Sequence, residues 1–90
     1  MASKAKNPTA PADVAAALPE GWNDDMELFE SLVAMDAGDP RAIGPVMDKL
    51  AGEGAPAVRE SLRGPDGIVR ITACRQWVYD VIEAANAKNS

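Results

Sequence analysis

A lone cysteine, a cluster of acidic side chains and a serine that follows a glutamate are the features that could carry chemistry. The chain of 90 residues contains no histidine, which removes the usual general base, metal ligand and pH switch. Cys74 is the single cysteine, and it lies on the apolar side of a predicted helix with no candidate base nearby in sequence. We therefore interpret Cys74 as an inert core thiol, which also fits a reducing compartment.

The acidic cluster consists of Asp24, Asp25 and Glu27, with the neutral amide of Asn23 beside them. Oxygen ligands of this kind could attract a hard cation, but the cluster lacks the alternating spacing of a calcium loop. The same residues fit the start of a helix, where Asn23 or Asp24 caps the first turn and the helix dipole favours negative charge. We interpret the cluster as a capped helix start, and we predict no metal, no cofactor and no enzymatic activity.

The tripeptide Glu30-Ser31-Leu32 is similar to the attachment site of acyl carrier proteins, which are also small, acidic and helical. Those proteins carry their pantetheine on a serine that follows an aspartate at the start of a helix. Here the acid is a glutamate, and Ser31 falls in the middle of a predicted helix. A second copy of the tripeptide begins at Glu60, so the pattern arises easily. An acyl-carrier-like protein modified on Ser31 is the alternative function.

The charge of the chain disfavours nucleic-acid and membrane-surface partners. The net charge is −5, and residues 23–53 hold eight acidic side chains against only two basic ones. Such a surface repels phosphate and anionic lipid. No apolar run approaches the roughly 20 residues that a membrane-spanning helix needs, and the N-terminus lacks the apolar core of a signal peptide. We expect a soluble cytoplasmic protein.

Hydrophobic spacing predicts the elements that would position these residues. The stretch from Asp66 to Asn86 predicts the central helix of the core, because its apolar residues recur at intervals of three and four. They are Ile68, Ile71, Cys74, Trp77, Val78, Val81, Ile82 and Ala85. Pro45 lies inside another helical pattern, so that helix either bends there or has its regular part begin at Gly44.

The predicted fold class is all-α, a small compact four-helix domain with a flexible N-terminal arm and no sheet. The helices are expected near residues 24–37, 40–51, 56–63 and 67–86. Residues 1–21 form the Ala/Pro-rich arm, because almost no large apolar side chain is available there to offset the entropy of ordering. The helical domain spans residues 22–90. Trp22 either staples the arm to the domain or is exposed as an anchor for another chain.

The order of short motifs along residues 22–90 resembles the short tail assembly chaperones of long-tailed bacteriophages, particularly those of Gram-positive hosts. Asp25-Met26-Glu27-Leu28-Phe29-Glu30 opens a helix and Asp36-Ala37-Gly38-Asp39 ends it. Leu50-Ala51-Gly52-Glu53 closes the next helix, Asp66-Gly67-Ile68-Val69 starts the last one, and the chain stops at Lys88-Asn89-Ser90. The Ala/Pro-rich arm departs from the family, whose N-terminal segment is often more structured.

The resemblance implies a protein of the infected host cytoplasm that is absent from the finished virion. It implies binding to the tape measure protein and help in recruiting tail tube subunits, and the family has no catalytic motif to transfer. Self-association is a further expectation, because a 90-residue chain has little core to spare. We expect the contact to lie along the first two strong helices, with an acidic rim. The residues predicted to bind protein are Trp22, Asp25, Glu27, Phe29, Glu30, Asp36, Val46 and Met47.

Overall fold

A computed structural model describes residues 8–88, and within that range the all-α prediction is confirmed. The five α-helices are α1 (Pro11–Ala17), α2 (Met26–Asp36), α3 (Ile43–Ala51), α4 (Ala55–Ser61) and α5 (Ile71–Lys88). Short 3-10 turns, Pro40–Ala42 and Gly52–Gly54, lead into α3 and α4. In this part of the chain the only strand-like pairing is an isolated antiparallel bridge between Arg63 and Val69.

Helix α2 starts and ends close to the residues predicted from the sequence, but its cap lies one residue later than Asp24. Gly38 follows the end of α2 with a φ of +99°, a backbone conformation that glycine adopts without strain. The cap at the start of α2 is Asp25, and neither Asn23 nor Asp24 serves in that position. The Asp25 carboxylate accepts a hydrogen bond from the backbone N–H of Leu28 at 3.1 Å. Helix α2 thus begins at Met26, two residues later than predicted.

Pro45 is accommodated in the first turn of α3. The 3-10 turn Pro40–Ala42, capped by Asp39, precedes the α-helix, so the regular helix begins at Ile43 and Pro45 is its third residue. A proline at this position costs no hydrogen bond, because N–H groups of the first turn have no partner within the helix.

Helix α5 is the central element, but it begins four residues later than predicted. The turn after Arg63 continues through Gly67, and the backbone N–H of Gly64 donates to the carbonyl of Ile68 at 2.9 Å. Ile68 therefore lies outside the helix and is exposed, and Ile71 in its first turn is exposed as well. The rest of the predicted stripe is confirmed, because Cys74, Trp77, Val78, Val81 and Ala85 are buried and Ile82 is partly buried against the core.

The flexible arm is not confirmed in the part that the structure describes. Residues 11–17 form α1, which packs mainly against α5, and both Val14 and Ala15 are buried. The indole Nε1–H of Trp77 donates to the carbonyl of Thr9 at 2.8 Å, which holds the chain just before α1 in place. Helix α1 is rich in alanine, and these small side chains let it approach α5 closely. Residues 1–7 lie outside the described residues.

Candidate functional site

Helix α2 has two apolar faces, and only one of them contacts the core. Leu28 and Met35 are buried, whereas Met26, Phe29 and Val33 are 68%, 60% and 52% exposed. The three exposed side chains are spaced by three and four residues, so they form one row along the outer side of the helix. We call this row the α2 stripe. Isolated exposed apolar side chains are common, but a continuous row of three large ones marks a candidate interaction surface.

A shallow cavity of about 250 Å³ adjoins the α2 stripe. Phe29 lies in its wall, together with Trp22 before α2 and Ile82 on α5. Trp22 is half-buried and also packs against the core, while its role as an anchor for another chain stays a prediction. The stripe and the cavity together give a ridge beside a depression, a shape that suits the apolar face of a helix from another chain.

Two of the predicted acidic rim residues are bound to Lys49 on α3. The Lys49 ammonium lies 3.1 Å from the Asp25 carboxylate and 2.9 Å from that of Glu27. The hydrogen bond from the backbone of Leu28 is the main cause of the lowered pKa of Asp25, and Lys49 adds to it. The hydrogen bonds to Glu27 and Asp25, of which that to Glu27 has the larger effect, raise the pKa of Lys49. These ion pairs connect α2 to α3 at the surface, where each contributes little to stability.

The other predicted acids of α2 differ in their surroundings. Asp36 accepts a hydrogen bond from the phenol of Tyr79 on α5, and this contact raises the pKa of Tyr79. Glu30 is exposed beside the α2 stripe, and within the described residues its carboxylate has no ion pair or hydrogen bond. Asp24, in the turn before the helix, is also exposed, and its carboxylate has no ion pair or hydrogen bond within the described residues. The rim therefore contains both satisfied and free carboxylates.

Val46 and Met47 were wrongly predicted to border an exposed protein-binding surface. Their side chains are 0% and 1% exposed, as part of the fully buried stripe of α3. Helix α3 contacts α1, α2, α4 and α5, and these neighbours cover both side chains. Met26 and Val33 were missed as surface residues. Their spacing relative to Phe29 could have indicated them, because positions 26, 29 and 33 share one face of a helix.

A second cavity of about 250 Å³ lies between α3, α4 and the start of α5. Ile43, Ile71 and Cys74 contribute apolar walls, and Arg59 lies at its edge, 3.7 Å from the Asp48 carboxylate. Burial raises the pKa of the Cys74 thiol, although the charge of Arg59 acts weakly in the opposite direction. The thiol is therefore protonated at neutral pH, and a protonated thiol is a poor nucleophile.

Ser31, the residue of the carrier alternative, lies in the middle of α2 and is half-buried. It is thus not at the helix start where carrier proteins place their modified serine. Among residues 8–88 no group of three or more acidic or cysteine side chains is arranged to hold a metal ion. No helix in the same range is long and apolar enough to cross a membrane.

Comparisons of the chain with protein-family models, with curated proteins and with solved structures found no match. On the surface of the molecule the α2 stripe, with its adjoining cavity and free carboxylates, is the best candidate for a functional site.

Proposed function

We propose that this protein is a non-enzymatic protein-binding module, and that it acts as a tail assembly chaperone of a long-tailed bacteriophage in the host cytoplasm. In this role it binds the tape measure protein, keeps it soluble and helps to recruit tail tube subunits. The observation that carries the proposal is the α2 stripe, where Met26, Phe29 and Val33 expose more than half of each side chain to solvent. The order of motifs over residues 22–90 supports the choice of chaperone class.

The stripe suits a chaperone because it is apolar, continuous and located on a rigid helix. Helix α2 is fixed to the body of the protein by the buried side chains of Leu28 and Met35. A partner helix can therefore dock without first ordering this surface, which lowers the entropic cost of binding. A tape measure protein is long and helical, so it would offer apolar stripes of matching spacing.

Co-expression tests the proposed function. We expect a tape measure fragment that is insoluble alone to become soluble with the wild-type protein, and to stay insoluble with Phe29→Ser. Ile68→Ser is the matched control, because Ile68 is also a large exposed apolar residue but lies in the turn before α5, and it should retain full solubilising activity. Circular dichroism should show unchanged helicity in both variants, since each replaced side chain is exposed.

The chaperone proposal fails if the fragment is equally insoluble with and without the wild-type protein. If Phe29→Ser solubilises the fragment as well as the wild type does, the stripe is not the contact surface. Sedimentation of the free protein tests the expected self-association separately, with Phe29→Ser showing whether the same surface is used.

A further inference from the structure

The α2 stripe lies on a helix that has acidic side chains and no basic ones. Residues 26–36 include two glutamates and one aspartate, with no lysine or arginine. At about 1.5 Å per residue, Met26 and Val33 are roughly 10 Å apart along the axis, which is two turns of a partner helix. Glu30 is four residues after Met26 and three before Val33, so its carboxylate borders the row from one side. A helix docked along the stripe would pass beside this carboxylate.

The charges that a partner would meet are the unsatisfied ones. Lys49 already pairs with Asp25 and Glu27, whereas Asp24 and Glu30 make no ion pair in the described part of the chain. Covering Glu30 with an apolar or acidic surface would remove water from a carboxylate without replacing its hydrogen bonds, which is costly. A lysine or arginine of the partner would supply a charge-assisted hydrogen bond instead.

The end of α2 strengthens the same preference. Asp36 lies in the last turn, where the negative end of the helix dipole disfavours a carboxylate, and no basic residue is present in that turn to offset it. A cation approaching this end of α2 gains from both the carboxylate and the dipole. The free carboxylates of Asp24 and Glu30 are thus the main attraction for positive charge, and Asp36, which also accepts a hydrogen bond from Tyr79, adds to it at the end of the helix.

We propose that the α2 stripe binds an amphipathic helix that is basic along the edges of its apolar face. This inference rests on the proposed function and specifies the chemistry of the partner segment. A second copy of the chain is a poor occupant for a symmetric α2–α2 contact. Such a contact would place the acidic edge of one copy on that of the other, with Glu30 near the middle of the row close to its own counterpart, and like charges across an interface oppose association.

Two designed helical peptides test the partner chemistry. Both have the same leucine stripe at helical spacing, and they differ only in having lysine or glutamate on the flanking positions. Fluorescence anisotropy of labelled peptide should show the full-length protein binding the lysine peptide at least about tenfold more tightly than the glutamate peptide at low salt. The preference should shrink in about 0.5 M salt, because screening weakens exposed charge pairs.

Glu30→Lys should reduce or reverse the preference, because it replaces the central carboxylate with a cation. Glu53→Lys is the matched control: Glu53 is exposed in the turn before α4 and the substitution changes the net charge equally, so the preference should persist. Phe29→Ser should weaken the binding of both peptides. The inference is overturned if the two peptides bind equally, if neither binds, or if Glu53→Lys has the same effect as Glu30→Lys.

The two proposals can fail separately. If the tape measure fragment is solubilised through Phe29 but the peptides show no charge preference, protein binding stands and the basic partner is wrong. If the lysine peptide is preferred but no tape measure fragment is solubilised, the surface chemistry stands and the chaperone role is wrong.

Discussion

At the scale of single residues, Trp77 joins two distant parts of the chain. Its ring is 3% exposed, and its indole N–H donates to the carbonyl of Thr9, 68 positions earlier in the chain. A large aromatic ring buries much apolar area, and a buried indole N–H needs a partner of this kind. Trp77 therefore contributes to the core of α5 and also fixes the segment that leads into α1.

We expect Trp77→Ala to lower the free energy of unfolding by about 3–5 kcal/mol, because it leaves a large cavity in the core. Urea titration followed by circular dichroism measures the change. Trp77→Phe should cost less, since it keeps most of the ring volume and loses the hydrogen bond to Thr9. Glu83→Ala, on the exposed side of α5, is the control and should change stability little. A loss below about 0.5 kcal/mol for Trp77→Ala would contradict the buried position.

At the scale of elements, α1 changes the organisation of the domain. It has seven residues and no side-chain cap, so it would be marginal in isolation. Its stability comes from packing, because Val14 and Ala15 are buried against the core and Leu18 is partly buried beside them. The predicted arm is thus, from about residue 9 onward, part of the folded domain.

Val14→Ala tests the packing of α1. We expect it to lower the free energy of unfolding by about 1–3 kcal/mol, because it removes two methyl groups from a site with almost no solvent exposure. Ala16→Ser, on the exposed side of the same helix, is the control for helix propensity. Thermal melts of both variants measure the difference. If Val14→Ala melts at the wild-type temperature, α1 does not contribute to the stability of the core.

At the scale of the whole molecule, the net charge of −5 and the local charge contacts act in opposite directions on acid stability. Three carboxyls have a pKa lowered by hydrogen bonds. Asp25 accepts from the Leu28 backbone, Asp39 from Arg41, and Glu60 from Arg63. Protonation at low pH relieves the overall repulsion, but it also removes these contacts. Because the folded-state pKa of each carboxyl is below its unfolded value, the unfolded chain binds more protons in acid.

We expect the stabilisation from these three carboxyls to be complete above about pH 5 and to be lost as the pH falls below about 4, the usual range of unfolded carboxyls. Urea titrations between pH 7 and pH 3 measure the trend. The variant with Asp25→Asn, Asp39→Asn and Glu60→Gln should show a shallower loss in acid than the wild type. Equal slopes for the two proteins would show that the contacts do not contribute.

The sequence by itself determined the all-α class, the core positions of α5 from Cys74 onward and the glycine that ends α2. These follow from local physics, because spacings of three and four residues define a helix face, and Gly38 supplies a conformation that other residues avoid. The buried positions of Cys74, Trp77 and Val81 were predictable for the same reason. The apolar spacing of α3 is equally regular, although Val46 and Met47 were assigned to a binding surface. Each of these helices has a single face that is apolar enough to be buried.

Only the tertiary structure decided which side of α2 faces solvent and whether the segment before Trp22 packs on the core. Helix α2 is apolar on two faces, and the positions of its neighbours bury Leu28 and leave Phe29 exposed. Helix α1 is rich in alanine and has no strong local signal, so its stability depends on the surface of α5 that it covers. Packing between distant segments decides both outcomes, and the periodicity of a single segment does not contain that information.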